Sequence, residues 1–276
     1  MIDYRCVLPR IVSIAVEAGN EILKFYQDPI KVEAKQDDSP LTQADLASHR
    51  AIEAGLRKFS VGATPLPVLS EESAQEAFER RSAWSAFWLV DPLDGTKEFI
   101  SKNGEFTVNI ALVEGSLPTA GVVYVPAQSV AYFGAEGIGS FRLTVPDAQC
   151  GFEVETFADL SSAAVRLTGE PANGRAYTVI GSRSHGSPEF EDFVAAIKQE
   201  HPDMEVLSAG SSLKFCRVAE GAADLYPRLG RTMEWDTAAG HAVVRGVGKK
   251  VVAYDSSEEL QYNKADLANP WFIAGR

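Results

Sequence analysis

The amino-acid sequence predicts an α/β protein with an α+β N-terminal half and an α/β C-terminal half. Three observations carry that reading: helical apolar periods near the N-terminus, a series of apolar runs over residues 106–143, and an alternation of strand and helix patterns after Tyr177. In the first segment Ile11, Ala15, Ala18, Ile22 and Phe25 step by four and three residues, which is one face of a helix expected to end near Asp28-Pro29. A second helix is expected over residues 43–59, with Leu46, Ile52 and Leu56 apolar and Thr42 as its N-cap.

Two short apolar runs follow, residues 67–69 and 86–90, and each leads straight into acidic residues. A buried strand whose end opens into a site has this pattern, so Glu71 and Asp91 are expected at strand ends. Residues 107–113, 120–125 and 130–133 read as an antiparallel meander, joined by turns at Glu114-Gly115-Ser116 and Pro126. The weakly patterned stretch 146–175 holds Gly151, Gly169, Pro171 and Gly174, and a division into domains 1–160 and 161–276 is placed within it. Beyond it come a strand at 177–180, a helix at 190–199, a strand at 206–207, a helix at 213–220, a strand at 224–226 and a helix at 237–244.

The formal charge of −12, from 26 basic and 38 acidic residues, argues against binding a nucleic-acid polymer, which needs clustered Lys and Arg. A small polyanion remains compatible, given metal ions and a few placed basic residues. Cys6, Cys150 and Cys216 are far apart and lack C-x-x-C spacing, so no disulfide framework or zinc site is expected. No apolar run approaches the ~18 residues needed to span a bilayer. A cytoplasmic location is therefore expected, with peripheral association at the inner face of the cell membrane left open. Monomer and homodimer are both left open.

The most informative segment is Trp88-Leu-Val-Asp91-Pro-Leu-Asp94-Gly95-Thr96-Lys97, where two carboxylates leave an apolar strand three residues apart. Hard divalent ions such as Mg2+ take oxygen ligands of this kind, and the carbonyl of Leu93 can add another. Gly95 lets the backbone approach a phosphate, and the amides of Gly95 and Thr96 form an anion site if they open a helical turn. Asp-Pro and Asp-Gly are also common turn pairs, so this segment alone does not decide the matter. Glu71-Glu72-Ser73 supplies another acidic pair, and Trp235-Asp236-Thr237-Ala238-Ala239-Gly240 places an Asp before small residues. As a helix N-cap, Asp236 keeps a free oxygen for metal.

Together these elements resemble the lithium-sensitive, magnesium-dependent phosphatase superfamily that includes inositol monophosphatases, with its Asp-Pro-Ile/Leu-Asp-Gly-Thr and Trp-Asp-x-Ala-Ala-Gly signatures. Leu69-Ser-Glu-Glu-Ser73, Asn103-Gly-Glu-Phe-Thr-Val-Asn-Ile-Ala-Leu112, Ser182-Arg-Ser-His185 and Gly210-Ser-Ser-Leu-Lys-Phe-Cys216 extend the resemblance to its 3'(2'),5'-bisphosphate nucleotidase branch. The resemblance implies a layered αβαβα sandwich of the inositol monophosphatase/fructose-1,6-bisphosphatase type, with the site between the halves. It implies two or three Mg2+ ions on Glu71, Asp91, the Leu93 carbonyl, Asp94 and Asp236. It also implies a catalytic set of Glu71, Asp45 and Thr96, the last two orienting the attacking water.

For the substrate, the same resemblance implies contacts from Leu93, Asp94, Gly95, Thr96 and Asp236, and from His185, Ser211, Lys214 and Arg228 on the nucleotide. The implied reaction is hydrolysis of adenosine 3',5'-bisphosphate to AMP and phosphate, with a role in sulfate assimilation and inhibition by lithium. Two rivals stand beside it. One is an inositol or sugar phosphatase with the same metal centre, against which the His185, Ser211, Lys214 and Arg228 set argues. The other is a catalytically silent nucleotide-binding or interaction module, which would be expected to lose metal ligands that are all present here. The segment Gly134-Ala-Glu-Gly137-Ile-Gly139 lacks the strand-to-helix context of a dinucleotide loop and is expected to be a turn. The four histidines show no ligand spacing and Cys216 lies in an apolar helical pattern, so neither a zinc enzyme nor a cysteine nucleophile is expected.

Overall fold

Helix α1 (Tyr4–Tyr26) buries Val7, Leu8, Ile11, Ala15, Ala18 and Ile22 along the face that the sequence periodicity marks out. The computed structural model describes residues 2–26, 32–34, 40–61, 65–73, 76–146, 152–183 and 187–276. The side chain of Thr42 lies outside the described set, as does all of His185. A short antiparallel pair, β1 (Val32–Ala34) and β2 (Pro40–Thr42), precedes α2 (Gln43–Arg57), which packs against α1 and buries Ile52 and Leu56.

Next come β3 (Val68–Ser70), α3 (Phe78–Arg81), β4 (Ala86–Asp94), α4 (Thr96–Ile100), β5 (Thr107–Glu114), β6 (Leu117–Val125), β7 (Val130–Ala135), β8 (Gly139–Thr144), α5 (Phe157–Ser162) and β9 (Val165–Leu167). The seven strands β3 to β9 form one sheet in chain order; β3 and β4 are parallel and every other neighbour is antiparallel. The expected meander is its centre. Strands β8 and β9 extend it beyond what the apolar runs revealed, because Ser140, Arg142 and Thr144 interrupt the apolar residues of β8, while β9 is three residues long and largely exposed. The Gly134 to Gly139 segment holds the end of β7, the β7–β8 turn and the first residue of β8, with Gly137 and Gly139 at positive φ.

The second half runs β10 (Thr178–Ser182), α6 (Pro188–Glu200), β11 (Glu205–Ala209), α7 (Leu213–Ala219), β12 (Tyr226–Arg228), α8 (Glu234–Gly246), β13 (Val251–Ala253) and β14 (Phe272–Ala274). Strands β10 and β11 pair in parallel, β12, β14 and β13 form an antiparallel sheet, and a parallel bridge from Val179 to Leu225 connects the two. The alternation expected from the sequence is present. Helix α8 starts three residues earlier than expected, which puts Asp236 inside its first turn.

The period-two alternation of the strands sorts their side chains into layers. From the large sheet, Trp88, Val90, Ile110, Leu112 and Val122 face the core of α1 and α2. Phe87, Leu89, Ala111, Val113 and Val123 face α7, α8 and the inner side chains Tyr226, Val251 and Phe272 of the second sheet. The outer side of that second sheet, Val179, Leu225 and Ile273, is covered by Phe190, Phe193, Val194 and Ile197 of α6. The order is therefore helix, sheet, helix, sheet, helix. Among the described residues no helix is long and apolar enough to cross a membrane.

Close seating of α8 on the large sheet depends on Gly121 in β6. A Cβ there would stand 2.9 Å from the Ala239 carbonyl oxygen and 3.0 Å from the Ala239 Cα, both backbone atoms. Overpacking of this kind costs about 1–3 kcal/mol. Gly121→Ala is expected to lower the unfolding free energy by that amount, read as a lower urea midpoint with the slope unchanged; an unaltered midpoint would show that α8 is free to move away from the sheet.

Candidate active site

A break in the β4–β5 ladder creates the first part of the site. Asp91 pairs with Asn109 and Asp94 with Thr107, so β4 takes three steps where β5 takes two. This is a β-bulge, and Pro92 within it has no N–H to give to the ladder. The Pro92 carbonyl accepts from Ser48 Oγ at 2.7 Å, and the Leu93 N–H donates to Asp91 Oδ1 at 3.1 Å. In a regular strand Asp91 and Asp94 would face opposite sides. The extra residue turns Leu93 into the α1–α2 core and brings Asp94 to the α8 side with Asp91. The sequence reading placed Asp91 at a strand end; the strand instead runs through the bulge to Asp94.

Glu71 directly follows β3 and continues its pairing, its N–H donating to the Val90 carbonyl at 3.2 Å. Asp236 is not the N-cap of α8: it is the third helical residue, and its Oδ2 accepts from the N–H of the capping Met233 at 2.9 Å. One oxygen from each of Glu71, Asp91 and Asp236 lies within 4.8 Å of the other two. Asp94 stands beside this trio. Its Oδ2 accepts from the Ser212 N–H at 2.6 Å and lies 3.4 Å from Thr107 Oγ1 and from Asn109 Nδ2. Asp45, on α2, is 1% exposed and close enough for its charge to act on Asp91.

Burial, followed by the charges of Glu71, Asp94, Asp236 and Asp45, holds the Asp91 carboxyl well above the usual carboxylate range. Burial and then Asp94 push Asp236 up to about 8. Asp94 is also raised by burial, against the pull of Lys214 and the Ser212 hydrogen bond. Crowded, desolvated carboxylates with only oxygen donors suit a hard divalent cation, whose charge would relieve their repulsion.

The carboxylates share a cavity of about 220 Å³ with Thr96, Lys214 and Arg228; Glu71, Asp94 and Asp236 line it, while Asp91 and Leu93 are buried and do not. Gly95 adopts φ 88° and opens α4, and a Cβ there would fall 2.0 Å from Ser211 Oγ. Ser211 is itself left-handed at φ 47°, and its Oγ donates to the Asp94 carbonyl at 2.9 Å. Lys214 is 4% exposed and donates to the carbonyls of Ser211 (2.6 Å) and Ala209 (3.3 Å); burial lowers its pKa to about 8. Arg228 donates from Nη2 to the Arg231 carbonyl at 3.1 Å, whereas its Nε is buried and has no hydrogen-bond partner. His185 lies outside the described residues.

Two residues with no role assigned from the sequence join the parts. Ser212 holds Asp94 through its N–H and donates from Oγ to the Asp236 carbonyl at 2.7 Å, while Asn109 Nδ2 donates to that Oγ at 3.0 Å. Asn109 was visible as a polar residue in the apolar run Val108-Asn109-Ile110, and it is fully buried.

The pattern of the inositol monophosphatase family matches residues 3–275. The chain belongs to that family. Members of the inositol monophosphatase family are metal-dependent, and the carboxylate group described above is capable of holding a metal. The 3'(2'),5'-bisphosphate nucleotidase CysQ of Salmonella typhimurium is 43% identical over 270 residues, covering 96% of this chain and 98% of its own. The protein of the same name from Escherichia coli K12 is 42% identical over 270 residues, with the same coverage. Among solved structures, CysQ from Bacteroides thetaiotaomicron, a bacterial member of the inositol monophosphatase family, superposes with a TM-score of 0.83 at 44% identity, covering 96% of this chain and 95% of its own. The suhB protein of Bartonella henselae shares the fold at a TM-score of 0.70 and 23% identity, covering 97% and 92%.

The raised carboxylates give the metal-free protein a definite pH dependence. Unfolded Asp titrates at about 3.9, whereas burial and the charge of Asp94 push folded Asp236 up to about 8. Between those values the folded state binds more protons than the unfolded state, so this contribution is full below the lower value and is lost as pH rises through the upper one. A divalent cation replaces the protons. The rise in Tm on adding magnesium is expected to be larger at about pH 8 than at about pH 5; thermal unfolding with magnesium and with EDTA at both values measures it, and an equal rise at both would count against the carboxylates as its ligands.

Proposed function

We propose that this protein is a magnesium-dependent 3'(2'),5'-bisphosphate nucleotidase that hydrolyses adenosine 3',5'-bisphosphate to AMP and phosphate, as part of sulfur assimilation. The observation that carries the reading is the pair Lys214 and Arg228 in the same cavity as the carboxylates. A cation cluster engaged with one phosphate cannot also neutralise a second, and a buried guanidinium N–H without a partner calls for an anion. The resemblance in the Gly210 to Cys216 segment and the 42–44% identity to proteins named CysQ support the same substrate.

Glu71, Asp91, Asp94, Asp236 and the Leu93 carbonyl are the residues that would hold two or three Mg2+ ions. Bound there, the ions supply Lewis acidity, which makes water nucleophilic near neutral pH and offsets phosphoryl charge. Asp45 and Thr96 orient the attacking water, and the amides of Gly95 and Thr96 face the phosphate that is removed. The water oxygen attacks phosphorus, the ester P–O bond breaks, and the leaving oxygen takes up a proton. Ser211, Lys214, Arg228 and His185 hold the nucleotide and its remaining phosphate.

Phosphate release from adenosine 3',5'-bisphosphate and from inositol 1-phosphate, each with magnesium and with EDTA, tests the reading. Turnover of the nucleotide that EDTA abolishes is expected; preference for the inositol phosphate would reject the substrate, and no turnover of any phosphate ester would reject the enzyme. Asp94→Asn is expected to abolish turnover while the far-ultraviolet spectrum stays native. Arg228→Ala removes charge-assisted hydrogen bonds worth about 1.5–3 kcal/mol, so KM for the bisphosphate should rise about ten- to a hundredfold with kcat nearly unchanged. An equal effect on a monophosphate substrate would show that Arg228 does not read the second phosphate.

A further inference from the structure

Helix α8 carries another polar group, fully buried, about one and a half turns beyond Asp236. His241 is fully buried, with Nδ1 at 3.0 Å from the Tyr262 hydroxyl and Nε2 at 3.2 Å from Glu259 Oε1. The Tyr262 hydroxyl is 3.1 Å from Thr237 Oγ1, and Thr237 lines the cavity immediately after Asp236. Thr237 Oγ1 also accepts from Asn269 Nδ2 at 3.0 Å and reaches the Glu234 carbonyl at 3.2 Å. The orientation of the Asn269 amide is fixed, because Nδ2 is 2.7 Å from the Met233 carbonyl, which can only accept. A continuous chain of hydrogen bonds thus runs from half-buried Glu259 to the cavity wall.

Counting protons along the chain gives it two directions. Glu259 is held ionised by His241 and by Arg245, whose Nε is 3.1 Å away. An ionised carboxylate only accepts, so Nε2 carries a proton whether His241 is neutral or charged. When Nδ1 is bare, Tyr262 donates to it and the Thr237 hydroxyl is left to donate to Tyr262 or to Glu234. When Nδ1 is protonated, Tyr262 must accept from it and turn its own hydrogen to Thr237. Thr237 then has only the Glu234 carbonyl to donate to, and that bond closes the first turn of α8.

We propose that His241 is a positioning residue for the site: acting through Tyr262, it sets the direction of the Thr237 hydroxyl and so the closure of the helical turn that carries Asp236. The proposal rests on the reading of Asp236 as part of the active site. The titratable and charged groups facing His241 are Glu259, Arg245 and Tyr262; Lys250 acts on Glu259, Glu234 acts on Tyr262, and Lys264 lies over the Tyr262 ring. Burial lowers the His241 pKa, so the neutral form with the proton on Nε2 prevails near neutral pH and the reversal comes in acid.

The test is nuclear magnetic resonance on the full chain with 15N-labelled histidine and methyl-labelled threonine, alongside kinetics. The chain has only four histidines, and His241→Gln identifies the signal. The neutral ring is expected to be the Nε2–H tautomer. The Thr237 methyl shift is expected to follow the His241 titration in the wild type and to lose that dependence in Tyr262→Phe, which keeps the ring. The ratio of wild-type to His241→Gln kcat/KM, both with magnesium, should change with pH through one ionisation at the His241 pKa; the carboxylates are common to both proteins and cancel. An Nδ1–H neutral tautomer, a Thr237 methyl that still follows His241 in Tyr262→Phe, or a pH-independent ratio would overturn the proposal. The resonance measurements need no substrate, so failure to hydrolyse any phosphate ester would count against the phosphatase reading alone.

Discussion

Glu71, Asp91 and Asp236 bring oxygens within 4.8 Å of one another around an almost fully buried Asp91, and the surrounding packing has to carry the repulsion between them. Two like charges about 4 Å apart near a protein surface repel by roughly 4 kcal/mol, which outweighs most single contacts. The fold answers by fixing each carboxylate from a different place: Glu71 just past the end of β3, Asp91 at the β4 bulge, and Asp236 in the first turn of α8. Asp94 is anchored separately by the Ser212 N–H. Protons or a divalent cation then complete the balance, which is why the site couples charge, metal and stability so closely.

A chain of net charge −12 nevertheless brings two basic side chains, Lys214 and Arg228, into the same cavity as its carboxylates. The overall charge is a property of the surface, whereas the cavity has its own local field. Lys214 is buried next to Asp94, and each shifts the titration of the other. Ser211 joins the two, since its Oγ donates to the carbonyl of Asp94 on β4 and its own carbonyl accepts from Lys214 on α7, so neither the acidic residue nor the basic one can move without disturbing the other.

Much of this was legible in the sequence, and the reasons are local. The faces of α1 and α2, the meander of β5 to β7, and the helices after residue 188 follow from periodicity. The acidic pair of β4 was legible because Pro, Gly and two Asp residues interrupt an apolar strand. What periodicity could not give was the bulge, because its effect lies in register against β5 and is visible only in the pairing. Strands β13 and β14 escaped because each is three residues long and finds its partner far along the chain. Ser212 and Asn109 sat in conspicuous segments, yet their partners are 118 and 103 residues distant, beyond the reach of any local pattern.

Those long separations have a bearing on the order of assembly. Glu71, Asp91 and Asp94 belong to the first large sheet, while Asp236 and Ser212 arrive only with α7 and α8, late in the chain. Loop closure over such distances is slow compared with the pairing of neighbouring strands. The N-terminal layers can therefore collapse with Glu71, Asp91 and Asp94 already together, while the part of the repulsion that Asp236 contributes is absent from the early steps of folding. During synthesis the chain adds its last carboxylate, Asp236, and the Ser212 N–H that anchors Asp94, only after the sheet that holds the other three has been made.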